Sequence, residues 1–281
     1  MDDTLHLHAK VKELLYSFTG ITLTENKDIM ISNRLHKLKR NAAFQGTLDE
    51  LLEIIKEGNY KTEFINAFTT NKTHFFREEF HFTDLKNRVL PQLVKNNQEI
   101  KLYCSASSTG EEPYSMAMTV LEAQEELNKK INATIIATDI DTNVLQYAAN
   151  GIYRYSKSSK EFPSWLKPQK YFRKRIEKNL ASEEILIKVK EELQNMVTFQ
   201  VMNLNDENYP FEKDQFDVVF CRNVLIYFSL ADQEKILFKL FRHLKIGGTL
   251  YIGHSESPGK LETYVKRVGQ NIFIKEKEIA W

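Results

Sequence analysis

The fold is decided by residues 100–127, which read IKLYCSASSTGEEPYSMAMTVLEAQEEL. A short apolar run at 100–104 is followed by a turn of small polar residues and then by a helical pattern. The same alternation of an apolar run with a helical segment recurs along the chain: the pairs are 100–104 with 114–127, 133–138 with 142–150, and 216–221 with 232–244. This alternation is typical of βαβ units. The sequence therefore predicts an α/β fold with a parallel sheet and helices on both of its faces.

The first 95 residues show a different pattern. Apolar residues recur at spacings of three and four, which predicts helices and no strands. One stripe contains Val11, Leu14, Leu15 and Phe18 and ends near Gly20, a second contains Ile31, Leu35 and Leu38, and two further helical stretches cover 47–57 and 60–69. We therefore assign residues 1–95 to a helical N-terminal domain with an interdomain segment, and residues 96–281 to the α/β domain.

Two parts of the α/β domain depart from regular alternation. The runs 171–173, 185–189 and 197–201 predict a small antiparallel β insert at about 168–195, although the last run can instead belong to the main sheet. The runs 247–253 and 270–275 predict two closing strands, and strands at the end of such a sheet are often antiparallel.

Composition limits the function classes. The chain has 281 residues, of which 42% are hydrophobic and 27% charged, as in an ordinary globular protein, and its net charge of +1 argues against a nucleic-acid partner. Cys104 and Cys221 each end an apolar run, which favours buried, reduced thiols. No leader sequence or bilayer-length apolar stretch is recognisable. We therefore expect a cytoplasmic protein, without membrane insertion and monomeric by default.

Two turns at strand ends carry acidic residues. Glu111 and Glu112 follow the first strand, where they would repel a pyrophosphate but suit a ligand with positive charge; acidic residues are also favoured there by the helix dipole alone. Asp139 ends the second strand, where α/β nucleotide-binding folds accept both ribose hydroxyls. Asp141 then caps the next helix. The alternative is that these two aspartates exchange or share their roles.

Two further segments carry polar side chains suited to ligand binding. Residues 217–228, DVVFCRNVLIYF, place Asn223 and Tyr227 after an apolar strand. Residues 69–77, TTNKTHFFR, lie between the helical domain and the sheet and combine amide, hydroxyl and guanidinium groups with two phenylalanines. This composition suits a lid that closes on an aromatic ligand.

Five segments, in this order, resemble the CheR-type chemotaxis receptor methyltransferases. They are NKTHFFR at 71–77, STGEEPYS at 108–115, DID at 139–141, CRNVLIYF at 221–228 and GHSE at 253–256. The resemblance implies a class I S-adenosylmethionine-dependent methyltransferase with a Rossmann-like sheet, a helical N-terminal domain and a small antiparallel β insert. It further implies methyl transfer to glutamate side chains in the cytoplasmic domain of chemoreceptors, the methyl-accepting chemotaxis proteins.

The resemblance also assigns the site residues. The cofactor S-adenosylmethionine and its product S-adenosylhomocysteine would contact Asn71, Thr73, Arg77, Glu111 or Glu112, Asp139, Asn203, Leu204, Asn223 and Val224. Glu112 is favoured over its neighbour. Arg77 and Tyr227 would lie nearest the reacting methyl group. The alternatives are a methyltransferase of the same fold for another protein or a small molecule, and a non-catalytic S-adenosylmethionine sensor.

The chemistry of the implied reaction sets one more expectation. A glutamate carboxylate, with a pKa of about 4.3, is already ionised at pH 7, so the nucleophile requires no general base. We therefore expect no metal and no catalytic cysteine, and interpret His254 as a hydrogen-bonded structural residue.

A basic helix in the N-terminal domain is a candidate receptor contact. Arg34, Lys37 and Arg40 recur every three residues, separate from the apolar stripe of the same helix. This face would attract a glutamate-rich receptor bundle. The alternative is a solvated surface without a partner.

Overall fold

The computed structural model describes residues 2–23, 27–95, 99–156, 159–175 and 184–279. The helices are α1 Asp2–Thr19, α2 Asp28–Asn41, α3 Leu48–Lys56, α4 Lys61–Phe68, α5 Glu79–Asp84, α6 Leu90–Val94, α7 Glu111–Glu126, α8 Thr142–Asn150, α9 Glu191–Gln194 and α10 Leu230–His243. The strands are β1 Ile100–Cys104, β2 Ala133–Asp139, β3 Ile152–Ser156, β4 Phe172–Arg175, β5 Glu184–Val189, β6 Val197–Val201, β7 Phe216–Cys221, β8 Leu244–Ile252, β9 Val265–Gly269 and β10 Ile272–Lys275.

The main sheet has the order β6-β2-β1-β7-β8-β10-β9. Its first five strands pair in parallel, and β10 is antiparallel to both β8 and β9. The predicted parallel sheet with an antiparallel end is therefore confirmed. The strand order changes direction between β1 and β7, which is the position where open α/β sheets bind ligands at the carboxyl ends of their strands.

The helices α1 to α4 form their own apolar core. Val11, Leu15, Ile31 and Leu35 are buried in it, as the two predicted stripes require. Gly20 ends α1 with a φ of +74°, a left-handed conformation that glycine adopts without steric cost.

The helices nearest the sheet do not join this core. Phe82, Leu85 and Leu90, from α5, the π turn at 85–89 and α6, pack instead with the buried residues of the sheet. The core of the helical domain draws its buried residues from Val11 to Phe68. The predicted domain boundary near residue 95 stays a prediction. Residues 79–94, on the N-terminal side of this boundary, pack against the sheet.

The antiparallel insert is a three-stranded sheet in the order β3-β5-β4. The predicted run at 185–189 forms β5, whereas the run at 197–201 pairs in parallel with β2 and belongs to the main sheet. The strand β3 precedes the predicted start of the insert, and its five residues follow α8 directly. Residues 176–183 of the predicted insert lie outside the described residues.

Other sequence expectations concern single features. Cys104 and Cys221 are free and buried, as predicted. Within the described residues, no helix has the length and apolar character needed to cross a membrane. No group of three or more histidine, cysteine, aspartate or glutamate side chains in that same part of the chain could hold a metal ion.

Candidate active site

A cavity of about 340 Å³ opens where the strands β1, β2, β6 and β7 end. Its volume is in the range of small-molecule sites, roughly 300–1,000 Å³. The residues that follow these strands form its floor, and the interdomain segment 69–77 and the connector between α1 and α2 form its walls. The cavity thus lies between the helical domain and the edge of the sheet where the strand order changes direction.

Most of the predicted cofactor residues and both predicted catalytic residues meet at this cavity. Those that line it are Asn71, Thr73, Arg77, Glu112, Asp139, Asn203, Leu204, Asn223, Val224 and Tyr227. They come from segments far apart in the sequence, and the order of the strands together with contacts of the interdomain segment brings them to one place.

Glu111 differs from the other predicted cofactor residues, because it is not among the described residues that line the cavity. Its carboxylate accepts a hydrogen bond from Thr109 Oγ1 at 2.6 Å. Consecutive residues on a helix point about 100° apart, so only one of the two adjacent glutamates can face the cavity. That residue is Glu112.

Asp139 has the features of a hydroxyl-binding carboxylate. It is nearly buried, and its Oδ1 and Oδ2 accept the backbone N–H groups of Asp141 at 3.0 Å and Ser108 at 2.8 Å. Burial raises the pKa of Asp139 to about 6, although these backbone hydrogen bonds oppose the shift. A carboxylate offers about four lone-pair positions, so two remain for a diol.

Asp141 has a separate, structural role. Its Oδ1 caps α8 by accepting the N–H of Asn143 at 2.9 Å, as predicted. Its Oδ2 accepts Thr69 Oγ1 at 2.6 Å and Asn71 Nδ2 at 2.7 Å. Asp141 therefore fixes the interdomain segment beside Asp139, and the amide of Asn71 is used for this contact.

The end of α1 and the connector after it are hydrogen-bonded to the residues that follow β6 and β7. Asn203 Nδ2 donates to the carbonyl of Phe18 at 2.8 Å, and its Oδ1 accepts the N–H of Asn205 at 2.9 Å. The N–H of Thr22 donates to the carbonyl of Tyr227 at 2.8 Å. The side-chain amide of Asn203 thus links the helical domain to the residues that follow β6.

Arg222 and Glu78 form a buried network that the sequence patterns did not single out. The fully buried Arg222 guanidinium lies 2.9 Å from Glu112 Oε2 and 3.2 Å from Glu78 Oε2, and it donates to the carbonyl of Arg77. Burial raises the pKa of Glu112, and the Arg222 charge offsets part of the shift. Burial would also raise the pKa of Glu78, but Arg222, His254 and Asn223 lower it to about 2.

Glu256 fixes the turn after β7. Its carboxylate accepts the backbone N–H groups of Asn223, Val224, Leu225 and Gly253 at 2.6 to 3.0 Å. A Cβ at Gly253 would lie 2.7 Å from Asn223 Nδ2 and from Glu256 Oε2, so this position requires glycine. The turn that presents Asn223 and Val224 to the cavity is thereby held rigid.

His254 lies at the rim of the same network. Its Nδ1 is 2.8 Å from Glu78 Oε1, which also accepts Asn223 Nδ2 at 3.1 Å. His254 is therefore hydrogen-bonded, as predicted, and its structural role stays a prediction.

Arg77 and Tyr227 reach the cavity from two different segments. Arg77 follows the two buried phenylalanines of the interdomain segment, and its guanidinium donates to the carbonyl of Lys72 at 3.0 Å. Tyr227 ends the 3₁₀ turn Leu225–Tyr227. Both side chains are partly exposed, so an acceptor group entering from solvent could reach them.

The three basic residues predicted to bind a receptor do not share one exposed surface. Lys37 and Arg40 are exposed on α2, but Arg34 is half-buried. The Arg34 guanidinium donates to the carbonyl of Thr69 at 2.9 Å, and burial lowers its pKa. Arg34 therefore supports the interdomain segment in this structure.

The match to a family model gives the class as the S-adenosylmethionine-dependent methyltransferases, here with an α/β fold. The model for "CheR methyltransferase, SAM binding domain" matches residues 71–274. The chain is 35% identical to the chemotaxis protein methyltransferase of Escherichia coli, over 96% of this chain and 90% of the relative. The corresponding proteins of Borreliella burgdorferi and Salmonella typhimurium are each 36% identical, over 89% and 96% of this chain and 87% and 90% of those relatives.

The chain belongs to the CheR methyltransferase family. It is an enzyme of chemotaxis that uses S-adenosylmethionine as its methyl donor.

Proposed function

We propose that this enzyme methylates glutamate side chains in the cytoplasmic domain of chemoreceptors, forming glutamate methyl esters during chemotactic adaptation. The supporting observation is a single cavity that joins the acidic groups Asp139 and Glu112 to Arg77 and Tyr227. The acidic groups suit a cationic nucleoside, whereas a guanidinium and a phenol suit an incoming carboxylate. We place the protein in the cytoplasm as a monomer, with no nucleic-acid partner.

The residues that line the cavity fit S-adenosylmethionine. In this proposal Asp139 accepts the two ribose hydroxyls, the backbone of Asn203 and Leu204 flanks the adenine, and Glu112 faces the charged methionine end. The remaining contacts come from Asn71, Thr73, Arg77, Asn223 and Val224. When bound, S-adenosylmethionine supplies an electrophilic methyl group on a sulfonium sulfur.

The chain's own contribution to the reaction is positioning. Arg77 holds the acceptor carboxylate, and Tyr227 orients one of its oxygens by a hydrogen bond. Bound S-adenosylmethionine would supply its methyl group to that oxygen, and its sulfur would keep the electron pair of the broken C–S bond. No proton moves, because the acceptor is already ionised at pH 7. Correct orientation of two reactants supplies roughly 7–11 kcal/mol of such a barrier.

The reaction itself is tested by the product. Incubation with methyl-labelled S-adenosylmethionine and receptor cytoplasmic fragments should label the receptor, and base treatment should release labelled methanol. A label that resists base, or that appears only on another protein or a small molecule, would contradict glutamate ester formation. Cofactor binding without transfer to any acceptor would favour a sensor.

Tyr227→Phe tests the proposed catalytic role of the phenol. The variant should turn over at least tenfold more slowly and bind S-adenosylhomocysteine with an affinity within twofold of wild type, because the lost hydrogen bond acts mainly in the transition state. Single-turnover methylation and calorimetry measure the two quantities. Normal turnover would leave Tyr227 with a structural role only.

Receptor attraction by α2 is tested best with its two exposed residues. Lys37→Ala combined with Arg40→Ala should lower the rate of receptor methylation about three- to tenfold at low salt, with no change in cofactor affinity. The difference should shrink as salt is raised. Arg34→Ala serves as a comparison, because it should also affect cofactor binding through Thr69. Equal rates for wild type and the double variant at low salt would exclude this face.

A further inference from the structure

The antiparallel insert packs aromatic side chains against the interdomain segment. The rings of Tyr153 on β3 and Phe162 in the connector between β3 and β4 lie 5.0 and 5.4 Å from the ring of Phe75, measured between ring centres. Phe75 and the next residue, Phe76, are both buried. Arg77 follows them directly, so its place at the cavity depends on two phenylalanines that pack beside the insert.

Phe76 has a backbone conformation that needs support from its surroundings. Its φ is +52°, in the left-handed region, which is unfavourable for a residue with a side chain and persists only where neighbouring contacts hold it. The ring centre of Phe76 lies 6.0 Å from that of Phe162 and 5.6 Å from that of Trp165. Both of these rings belong to the connector between β3 and β4. The insert therefore contacts the strained residue immediately before Arg77.

A second contact from the insert reaches the turn after β1. The hydroxyl of Tyr153 donates to the carbonyl of Thr109 at 2.7 Å. The preceding residue, Ser108, lines the cavity, and its N–H donates to Asp139 Oδ2 at 2.8 Å. Ser108 is also left-handed, with a φ of +48°. The Tyr153 hydroxyl thus fixes a strained turn that holds the proposed ribose-binding carboxylate.

We infer that Tyr153 and Phe162 are positioning residues of the methyltransferase: Phe162 holds Arg77 in place through Phe76, and Tyr153 holds the turn beside the cofactor. The inference rests on the proposed function, which assigns Arg77 to the acceptor carboxylate. Neither Tyr153 nor Phe162 is among the described residues that line the cavity, so both act through other residues. Such support matters because a misplacement of about 1 Å can slow a reaction roughly 100-fold.

Tyr153→Phe tests the support of the turn. The change removes the hydroxyl and keeps the ring against Phe75. The affinity for S-adenosylhomocysteine, measured by calorimetry, should fall about five- to tenfold, because the carbonyl of Thr109 loses its donor and the turn relaxes.

Two other tyrosines of the insert provide matched controls. The hydroxyl of Tyr155, on the same strand, donates to the carbonyl of Ser159 within the insert. The hydroxyl of Tyr171, a buried residue, donates to Glu122 at 2.7 Å, on the helix α7. Tyr155→Phe and Tyr171→Phe each remove one hydroxyl from the insert without touching the turn after β1, so both should keep the affinity within twofold of wild type.

Phe162→Ala tests the support of Arg77. At saturating S-adenosylmethionine, kcat/KM for the receptor fragment should fall about tenfold, whereas Phe162→Tyr, which keeps the ring, should stay within twofold of wild type. In a chain that already carries Arg77→Ala, adding Phe162→Ala should lower kcat/KM by no more than a further twofold, because two residues that act through one another do not give additive losses. General destabilisation would lower the rate in both backgrounds.

Three results would each overturn the inference and leave the proposed function intact. They are an unchanged affinity in Tyr153→Phe, an equal fall in either tyrosine control, and a full tenfold further loss when Phe162→Ala is added to Arg77→Ala. If wild type forms no labelled ester on receptor fragments, the proposed function fails, and calorimetry of the tyrosine variants still decides whether the insert supports the cofactor site.

Discussion

Replacing Asp139 with alanine is expected to weaken the binding of S-adenosylhomocysteine by about 100-fold or more. In the proposed site, the change removes two hydrogen bonds from ribose hydroxyls to a charged acceptor, each contributing about 1.5–3 kcal/mol. Calorimetry of the free and bound protein measures the effect. Asp141→Asn is a useful comparison, because Asp141 supports the cavity wall without facing the ribose position in this proposal. Unchanged affinity in the alanine variant would remove Asp139 from the cofactor site.

The raised pKa of Asp139 adds a pH dependence to the same measurement. The ionised carboxylate is the better acceptor of two hydroxyl donors, and its pKa in the free protein is about 6. The ionised fraction therefore falls from about nine-tenths at pH 7 to about one-tenth at pH 5. Affinity should fall about tenfold over this interval, and binding near pH 6 should release protons.

Asp139→Asn provides the control for this pH dependence. It should bind weakly at every pH and show a smaller slope than wild type, because its side chain does not ionise. Equal slopes in wild type and the asparagine variant would assign the pH dependence to another group.

Arg222→Met is expected to lower the free energy of unfolding by about 3–5 kcal/mol. Removing one partner of a buried ion pair leaves the other charge uncompensated. Here two carboxylates lose their partner, because Arg222 contacts both Glu78 and Glu112. Urea unfolding measures the loss.

Two comparisons show whether uncompensated charge causes this loss. Arg267→Met, at an exposed position on β9, should change stability by no more than about 0.5 kcal/mol. Adding Glu78→Gln and Glu112→Gln to the Arg222 variant should recover part of the loss, because no buried charge then remains unpaired. A loss of less than 1 kcal/mol in Arg222→Met would show that the network carries little stability.

The sheet could be predicted where burial dominates the sequence. In β1 and β7 nearly every residue is buried, so these strands appear as continuous apolar runs. The strands β3 and β9 were not predicted. Only one residue of β3 is fully buried, and β9 contains exposed charged residues typical of an edge strand. Their pairing depends on neighbours elsewhere in the chain, and local patterns do not contain that information.

The location of the site at the carboxyl ends of the strands could also be predicted from the sequence. Parallel strands bring their carboxyl ends to one edge, so the sequence alone could place Asp139 and Asn223 together. The directions of the side chains could not be predicted from the sequence. Whether Glu111 or Glu112 faces the cavity, and whether Arg34 points to solvent or to Thr69, depends on packing between distant segments. The pairing of Arg222 with Glu78 has no sequence spacing that would reveal it.

The hydrogen bonds between the helical domain and the cavity walls have an evolutionary consequence. Phe18 and Thr22 contribute main-chain groups, and Thr69 contributes its hydroxyl, to contacts with Asn203, Tyr227 and Asp141. A helical domain exchanged from a relative would therefore have to match these contacts for the walls of the cavity to form. In the proposed function, changes to the exposed Lys37 and Arg40 on the outer face of α2 would leave these inner contacts intact.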